Sequence, residues 1–358
     1  MQEHPKNEEP LPEETGGGLK GPGTPEDGAD PVTPPDPPAP PDPETLPDDA
    51  LAAIPEHLQG AGETRAGMVA LVGRPNVGKS TLMNAFIGEK LSIVTSREQT
   101  TRERVLGILT EDGVQMIFVD TPGLLEPRYL LHESMVGEAV AALLDADVVL
   151  LLLDPTRTDA PADEEVLEKL RSRGPALHVA INKVDIGDPG VVQRLVDWSR
   201  RELHIEPHRI SAEKGEGLEA LKEALAAGLP ESPYLYPPED LAAQPVRFFV
   251  AELIRETIFE EYGQEIPYST VVGIEEYRES EDPVYIRAEV YVDRKSQKGI
   301  IIGKGGRSIK RLGSRARSKI EAFTGTRVYL DLWVKPLPGW RKKADALKRL
   351  GYHIPEDS

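Results

Sequence analysis

The segment Gly73-Arg-Pro-Asn-Val-Gly-Lys-Ser80 constrains the fold of this 358-residue chain more than any other feature. It follows a short apolar run of buried-strand type, Met68 to Val72, and leads into a helix-compatible stretch that begins near Lys79. A glycine-rich loop between a strand and a helix is typical of phosphate binding, because glycines let backbone N–H groups close around phosphate oxygens. The helix that follows adds its positive end. The first folded region is therefore predicted to begin at a nucleotide-phosphate site.

The residue types in this loop match the chemistry of a triphosphate. Lys79 places a positive charge near the β- and γ-phosphates, and the Ser80 hydroxyl can ligate the Mg²⁺ that bridges them. The predicted nucleotide contacts of the loop and the start of its helix are Gly73, Asn76, Val77, Gly78, Lys79, Ser80 and Thr81.

A second motif predicts which base is bound. Asn182-Lys183-Val184-Asp185 follows another buried-strand run, Ala176 to Ile181. The Asp185 carboxylate can accept hydrogen bonds from N1–H and the exocyclic amine of guanine, whereas adenine offers no such pair. Leaving a buried acceptor unpaired is costly, so discrimination of about 10⁴ is reachable and GTP is predicted over ATP. Ser211-Ala212-Glu213 is expected to place a backbone amide near the guanine carbonyl oxygen.

Two further segments predict a metal-dependent switch. Val114 to Val119 has the pattern of a strand that ends in Asp120-Thr121-Pro122-Gly123, where Asp120 joins the Mg²⁺ site and the Gly123 amide can meet the γ-phosphate. Upstream, a polar stretch contains Thr100-Thr101-Arg102, and one threonine hydroxyl can ligate the metal only while the γ-phosphate is present. Thr101 is favoured over Thr100, and the choice stays open. The predicted metal site is Ser80, Thr101 and Asp120, and the predicted catalytic set is Lys79, Thr101 and Gly123.

In this order over residues 73 to 213, the motifs resemble the translation-factor-related branch of small GTPases. The resemblance implies a three-layer α/β domain with a mostly parallel sheet, which hydrolyses GTP to GDP. Leu124 stands where Ras-like switches have a water-orienting glutamine, so slow intrinsic turnover is expected. Similar GTPases use an asparagine at the position of Asn76 to hold K⁺, and a purely structural role of Asn76 stays equally open.

The last third carries a different signature. Gly303-Lys304-Gly305-Gly306 is a Gly-x-x-Gly loop flanked by isoleucines, in a window from Arg294 to Lys319 that holds ten basic residues and no acidic one. Such glycines let the backbone approach sugar-phosphate while neighbouring cations neutralise phosphates. A solvated helix face would not need glycines at its centre. The predicted RNA contacts are Ile302, Gly303, Lys304, Gly305, Gly306, Arg307, Lys310 and Arg311.

The elements around this loop resemble a type II KH domain, an α+β fold. Helical spacing from Val246 to Phe259 precedes strand-like runs at 269–277 and 284–292, and a last strand is predicted at 326–334. The predicted order is α-β-β-α-α-β. Trp333 and Trp340 could stack on bases or serve as packing anchors, and both readings stay open.

One GTPase domain followed by this KH domain is similar, over residues 67 to 352, to the Era family of bacterial ribosome-assembly GTPases. The resemblance implies a monomer that binds the 3′ end of 16S rRNA and acts in 16S rRNA processing and 30S ribosomal subunit biogenesis. It also implies a cytoplasmic location with peripheral association at the inner face of the cell membrane. Two rival hypotheses are an RNA chaperone with incidental GTP turnover and a membrane-regulatory GTPase.

Composition separates the N-terminal segment from the rest of the chain. The first sixty residues hold fifteen of the 33 prolines and fourteen acidic residues, against only Lys6 and Lys20. Such a segment cannot offset the entropy of folding, so residues 1–62 are predicted to be a disordered acidic tail that either shields the basic surface or only solubilises the chain. We expect a GTPase domain at 63–234, a linker at 235–245 and the KH domain at 246–358. The absence of cysteine excludes disulfides, thiol nucleophiles and Cys-ligated zinc, and no signal peptide is expected.

Overall fold

The computed structural model describes residues 64–95, 97, 99–123, 127–157, 164–171 and 176–354. The predicted tail at 1–62 and Leu124 lie outside these residues, and so do the predictions made for them.

In the described residues, six strands form the first sheet: β1 (Arg65–Val72), β2 (Val105–Glu111), β3 (Val114–Asp120), β4 (Val148–Leu153), β5 (Leu177–Ile181) and β6 (His208–Arg209). Their order is β2-β3-β1-β4-β5-β6, and only the pairing of β2 with β3 is antiparallel. The parallel strands are continuous apolar runs because both faces of the sheet are covered. The buried strands predicted from sequence are β1, β3 and β5.

In the part of the chain that the structure describes, five helices cover this sheet: α1 (Lys79–Ile87), α2 (Leu130–Asp145), α3 (Glu164–Arg171), α4 (Pro189–Glu202) and α5 (Leu218–Ala227). Leu82 of α1 and Leu221 of α5 share an apolar cluster on one face. Leu143 of α2 and Val196 of α4 belong to a second cluster on the other face. The predicted three-layer α/β fold is confirmed.

The second sheet and its helices follow: α6 (Val246–Glu261), α7 (Ile266–Ser269), β7 (Thr270–Arg278), β8 (Val284–Val292), α8 (Lys295–Ile302), α9 (Arg307–Thr324), β9 (Val328–Pro336) and α10 (Ala344–Arg349). The strand order is β7-β8-β9, with β8 antiparallel to β7 and parallel to β9. One face of this sheet packs on α6, α8 and α9 in a shared apolar core. The KH-type order α-β-β-α-α-β is confirmed, with the short helices α7 and α10 added.

The segment predicted as a linker, 235–245, is bound along β2. The Leu241 carbonyl accepts from the Ile108 amide at 2.9 Å, and the Gln244 side chain accepts from the Leu106 amide at 3.2 Å. Because β2 is an edge strand, its outer backbone groups need partners, and this segment supplies them. Within the described residues, no helix is both long and apolar enough to cross a bilayer.

A fourth apolar cluster contains residues of α2 and of the C-terminal part of the chain. Leu131 and Met135 of α2 pack with Val271, Tyr291 and Trp340 of the C-terminal part. Trp340 is fully buried and its Nε1–H donates to the Ser269 carbonyl at 3.0 Å, so it is a packing anchor.

Candidate functional site

The loop between β1 and α1 has the geometry that its glycines predict. Gly73 and Gly78 adopt φ values of 152° and 103°, which favour glycine. A Cβ at Gly73 would lie 2.7 Å from the Leu152 carbonyl oxygen, and one at Gly78 would lie 2.3 Å from the Asn182 side-chain nitrogen. The loop backbone therefore stays close to its neighbours only without side chains at these two positions.

Lys79 lies buried inside this loop. Its ammonium donates to the carbonyls of Gly73 at 3.1 Å and Arg74 at 3.2 Å. Burial lowers the pKa of Lys79 to about 8, an effect that the nearby Asp120 carboxylate partly opposes. Two carbonyl groups of the loop therefore fix the position of the Lys79 ammonium.

The three predicted metal ligands lie together. Ser80 Oγ donates to Asp120 Oδ2 at 2.7 Å, and Thr101 Oγ1 lies 3.2 Å from Ser80 Oγ and 3.4 Å from Asp120 Oδ2. Thr100 is turned away, with its hydroxyl donating to the Arg97 carbonyl at 3.2 Å. Burial raises the pKa of Asp120, and within the described part of the chain its second oxygen, Oδ1, has no hydrogen-bond partner. A buried, unpaired carboxylate oxygen beside two hydroxyls fits a hard cation such as Mg²⁺.

Asn182 and Lys183, from the motif predicted to bind the base, hydrogen-bond to the phosphate loop at the carboxyl edge of the sheet. Asn182 Nδ2 donates to the Val77 carbonyl at 2.8 Å, and its Oδ1 accepts from the Ala212 amide at 2.9 Å. Lys183 Nζ donates to the Asn76 carbonyl and to Asp154 Oδ2, both at 2.6 Å. The Ala212 amide is thus committed to Asn182. Sequence reasoning missed Asp154, whose only signal was its position directly after the apolar run of β4.

The Asp185 carboxylate is exposed, and no described residue hydrogen-bonds to it. The Glu213 amide likewise has no acceptor among the described residues. Both groups therefore stay available to a ligand. Thr121 has an internal role, since its hydroxyl donates to the Leu71 carbonyl at 2.9 Å.

A cavity of about 380 Å³ opens between the phosphate loop and the Thr100-Thr101 segment. Eight predicted site residues line it: Asn76, Gly78, Lys79, Ser80, Thr81, Thr101, Gly123 and Lys183. Sequence reasoning missed other lining residues, including Ile93, Val94 and Gln99. The apolar pair extends the cavity along the polar stretch that precedes Thr100.

The Gly-x-x-Gly loop is a short 3-10 turn between α8 and α9. Gly303, Gly305 and Gly306 have φ values of 71°, 61° and 75°. All three therefore lie in the backbone region that favours glycine. Ile301 anchors the loop in the core, with no exposed surface.

The basic residues of this loop and of α9 fall into two groups. Lys304, Arg307 and Lys310 are exposed and, in the described ranges, form no ion pair. Arg311 pairs with Glu261 of α6, and Arg315 pairs with Glu260 and Glu261. Arg311, predicted as an RNA contact, is therefore already neutralised by an acidic side chain.

A groove of about 420 Å³ runs between α9 and β9, beside the loop. Lys310, Ser314 and Arg317 line it from the helix, and Tyr329, Leu330 and Leu332 line it from the strand. The strand side was missed because its residues read as ordinary strand alternation. The groove offers an apolar floor with a cationic wall.

Arginines connect the Thr100-Thr101 segment to the C-terminal part. Arg102 donates to the carbonyls of Thr270 at 2.6 Å, Pro267 at 3.0 Å and Tyr268 at 3.2 Å. In the other direction, Arg255 of α6 donates to the Thr100 carbonyl. The residues on either side of Thr101 are thus hydrogen-bonded to the KH-type region.

Comparison with known proteins agrees with this geometry. Residues 68–183 match the family model described as a 50S ribosome-binding GTPase, and residues 265–341 match the KH domain model. A solved structure of an Aquifex aeolicus Era variant bound to GDP·AlF₄⁻ is 38% identical, with a TM-score of 0.75, over 81% of this chain and 100% of that one. The chain belongs to the Era family.

A second Era structure, in complex with MgGDPNP and nucleotides 1506–1542 of 16S ribosomal RNA, matches with the same identity, coverage and TM-score. As an Era-family GTPase, the chain combines GTP hydrolysis, guanine-nucleotide and Mg²⁺ binding, and an RNA-binding KH domain. The relative is matched over its whole length, and 19% of this chain has no counterpart in it.

Proposed function

We propose that this protein is a GTP-hydrolysing switch whose KH domain binds the 3′ end of 16S rRNA during 16S rRNA processing and 30S subunit biogenesis. Support comes from the relative solved with that RNA segment and from the glycine loop, free cations and groove of the C-terminal part.

In the proposed nucleotide site, Lys79 and the backbone amides of the loop bind the β- and γ-phosphates. Asp185 and the Glu213 amide read guanine. Ser80, Thr101 and Asp120 would hold Mg²⁺, which supplies neutralisation of the charge that develops on the phosphates. The Gly123 amide orients the γ-phosphate.

In the proposed site, Asn76 is a candidate ligand for K⁺, beside its alternative role in shaping the loop. Asn76 lines the cavity, and its backbone adopts a φ of 64°. The expected slow intrinsic turnover rests on Leu124, outside the described residues.

The observation that carries the switch is the position of Thr101 between two interdomain contacts. Thr100 and Arg102, its neighbours, hydrogen-bond to α6 and to the start of β7. If Thr101 ligates the metal only with GTP bound, the same movement shifts both contacts. Nucleotide state would then alter how the KH domain meets RNA.

Multiple-turnover phosphate release, with and without RNA that ends in the 16S 3′ sequence, tests the proposal. We expect this RNA to raise turnover, and a scrambled RNA of equal length to have a much smaller effect. Negligible turnover that no RNA changes would favour an RNA chaperone that uses GTP only to lock a conformation. The cytoplasmic location, peripheral membrane association and monomeric state stay predictions.

A further inference from the structure

The outward face of the second sheet has two halves. Val271 and Tyr291 lie in the half that Trp340 and α2 cover. In the other half, Tyr329 and Trp333 of β9 remain 58% and 49% exposed. Large aromatic side chains so exposed on a regular strand mark a surface that can bind a partner.

These rings are held in fixed positions. Tyr329 stacks on Tyr285 of β8 with ring centroids 5.8 Å apart, and the Arg287 guanidinium lies 5.4 Å from the centroid of Trp333. Asp331 lies between them and accepts from Trp333 Nε1 at 2.8 Å and from the Tyr285 hydroxyl at 3.3 Å. A partner would therefore meet an ordered surface and lose little side-chain entropy on this side.

The charges on this face select the partner. Its cations are internally neutralised: Arg278 pairs with Glu276 and Glu281, Arg287 pairs with Glu276, and Lys335 pairs with Glu289. Among the described residues, the acidic groups without a cationic partner are Glu275, Asp331 and, in the adjoining turn, Glu279. The uncompensated charge is therefore negative.

We propose that this acidic aromatic face, centred on Asp331 and Trp333, binds a lysine- and arginine-rich polypeptide segment of a partner protein. Guanidinium and ammonium groups are attracted both to the carboxylates that lack a cationic partner and to the faces of exposed rings. RNA fits less well, since free carboxylates repel phosphates and the free cations lie at the glycine loop and on α9. Tyr329 borders the RNA groove as well, so Trp333 is the cleaner probe.

The inference goes beyond the proposed GTP and 16S rRNA function and is tested on the full chain. The probe is a fluorescein-labelled peptide of alternating arginine and serine, titrated by anisotropy at physiological salt. We expect Trp333→Ser to weaken peptide binding roughly fivefold to thirtyfold, as the loss of a desolvated cation–π contact predicts. Asp331→Asn should weaken it as well, whereas Glu223→Gln, an exposed acid on α5, should leave it unchanged.

Unchanged peptide affinity in Trp333→Ser and Asp331→Asn would overturn the proposal, because the peptide would then bind elsewhere, such as on the acidic N-terminal sequence. A loss of affinity for 16S 3′-end RNA in Trp333→Ser, with peptide binding intact, would overturn it in favour of an RNA platform. An unchanged circular dichroism spectrum and thermal unfolding midpoint verify the fold of each variant. In the wild-type chain, the peptide should shield Trp333 from acrylamide quenching. Buried Trp340 contributes little to that signal, and the Trp333→Ser variant measures the contribution of half-buried Trp198.

Discussion

At the scale of single residues, Lys79 couples nucleotide binding to pH. Its pKa of about 8 lies below the ordinary lysine value because the free site is buried, and phosphate oxygens would stabilise the charged form. Binding at about pH 8.5 should therefore take up most of one proton, whereas binding at about pH 7 should take up much less. Calorimetry of GDP binding in two buffers of different ionisation enthalpy measures this uptake. Guanosine, which lacks phosphates, is the control, and equal uptake for both ligands would contradict the assignment.

Glu103 gives a second prediction at this scale. Burial, with the nearby carboxylate of Glu252, raises the pKa of Glu103 to about 7. A raised carboxylate pKa costs stability above pH 7, and that cost fades as pH falls toward the ordinary value. Glu103→Gln should therefore stabilise the protein by about 1–3 kcal/mol at about pH 8 and by much less at about pH 5. Thermal unfolding at both pH values measures the difference, and an equal effect at both would refute the prediction.

Residues within a contiguous motif were predictable because local backbone geometry dictates them. Gly73, Gly78, Lys79 and Ser80 form one loop, whose glycine φ values follow from the loop itself. Asp154 was not predictable in the same way. Its role depends on Lys183, which lies on the neighbouring strand's loop and meets it only once β4 and β5 pair.

At the scale of elements, some basic residues of α9 lack acidic partners among the described residues, whereas others pair with acids of α6. Lys310 is free and lines the groove, whereas Arg315 is held by Glu260 and Glu261. Lys310→Ala should lower affinity for single-stranded RNA and make the slope of log affinity against log salt shallower by about 0.7, the value for one phosphate contact. Arg315→Ala is the matched control and should change the slope much less. Fluorescence anisotropy over a salt series gives both slopes, and equal changes in the two variants would contradict the division.

This division explains why the basic window indicates a cationic region but not which of its side chains are free of acidic partners. A run of ten basic residues from Arg294 to Lys319 shows that the region is cationic. Which of them are neutralised depends on the acids of α6, about fifty residues earlier in the chain. Similarly, β2 was not predicted from the sequence. It is an edge strand that begins shortly after the polar segment ending in Arg102, and the segment 235–245 covers it.

At the scale of the whole molecule, we propose that Arg102 carries the coupling between the nucleotide site and the KH domain. It reaches three backbone carbonyls of the C-terminal part, from the residue next to Thr101. Two ligands that bias one two-state element must affect each other's binding equally. We therefore expect a bound GTP analogue to raise RNA affinity, and bound RNA to raise GTP-analogue affinity, by the same factor of about 5 to 150.

Arg102→Ala should bring both factors close to one and leave GTP-analogue affinity without RNA within about threefold, because the arginine lies outside the nucleotide cavity. Arg104→Ala is the matched control, since Arg104 pairs with Glu138 and Asp145 of the GTPase part. The measurement is the full set of dissociation constants for nucleotide with and without RNA, and for RNA with GDP or a non-hydrolysable GTP analogue. Coupling that survives in Arg102→Ala, or that Arg104→Ala removes equally, would place the connection between the two sites elsewhere.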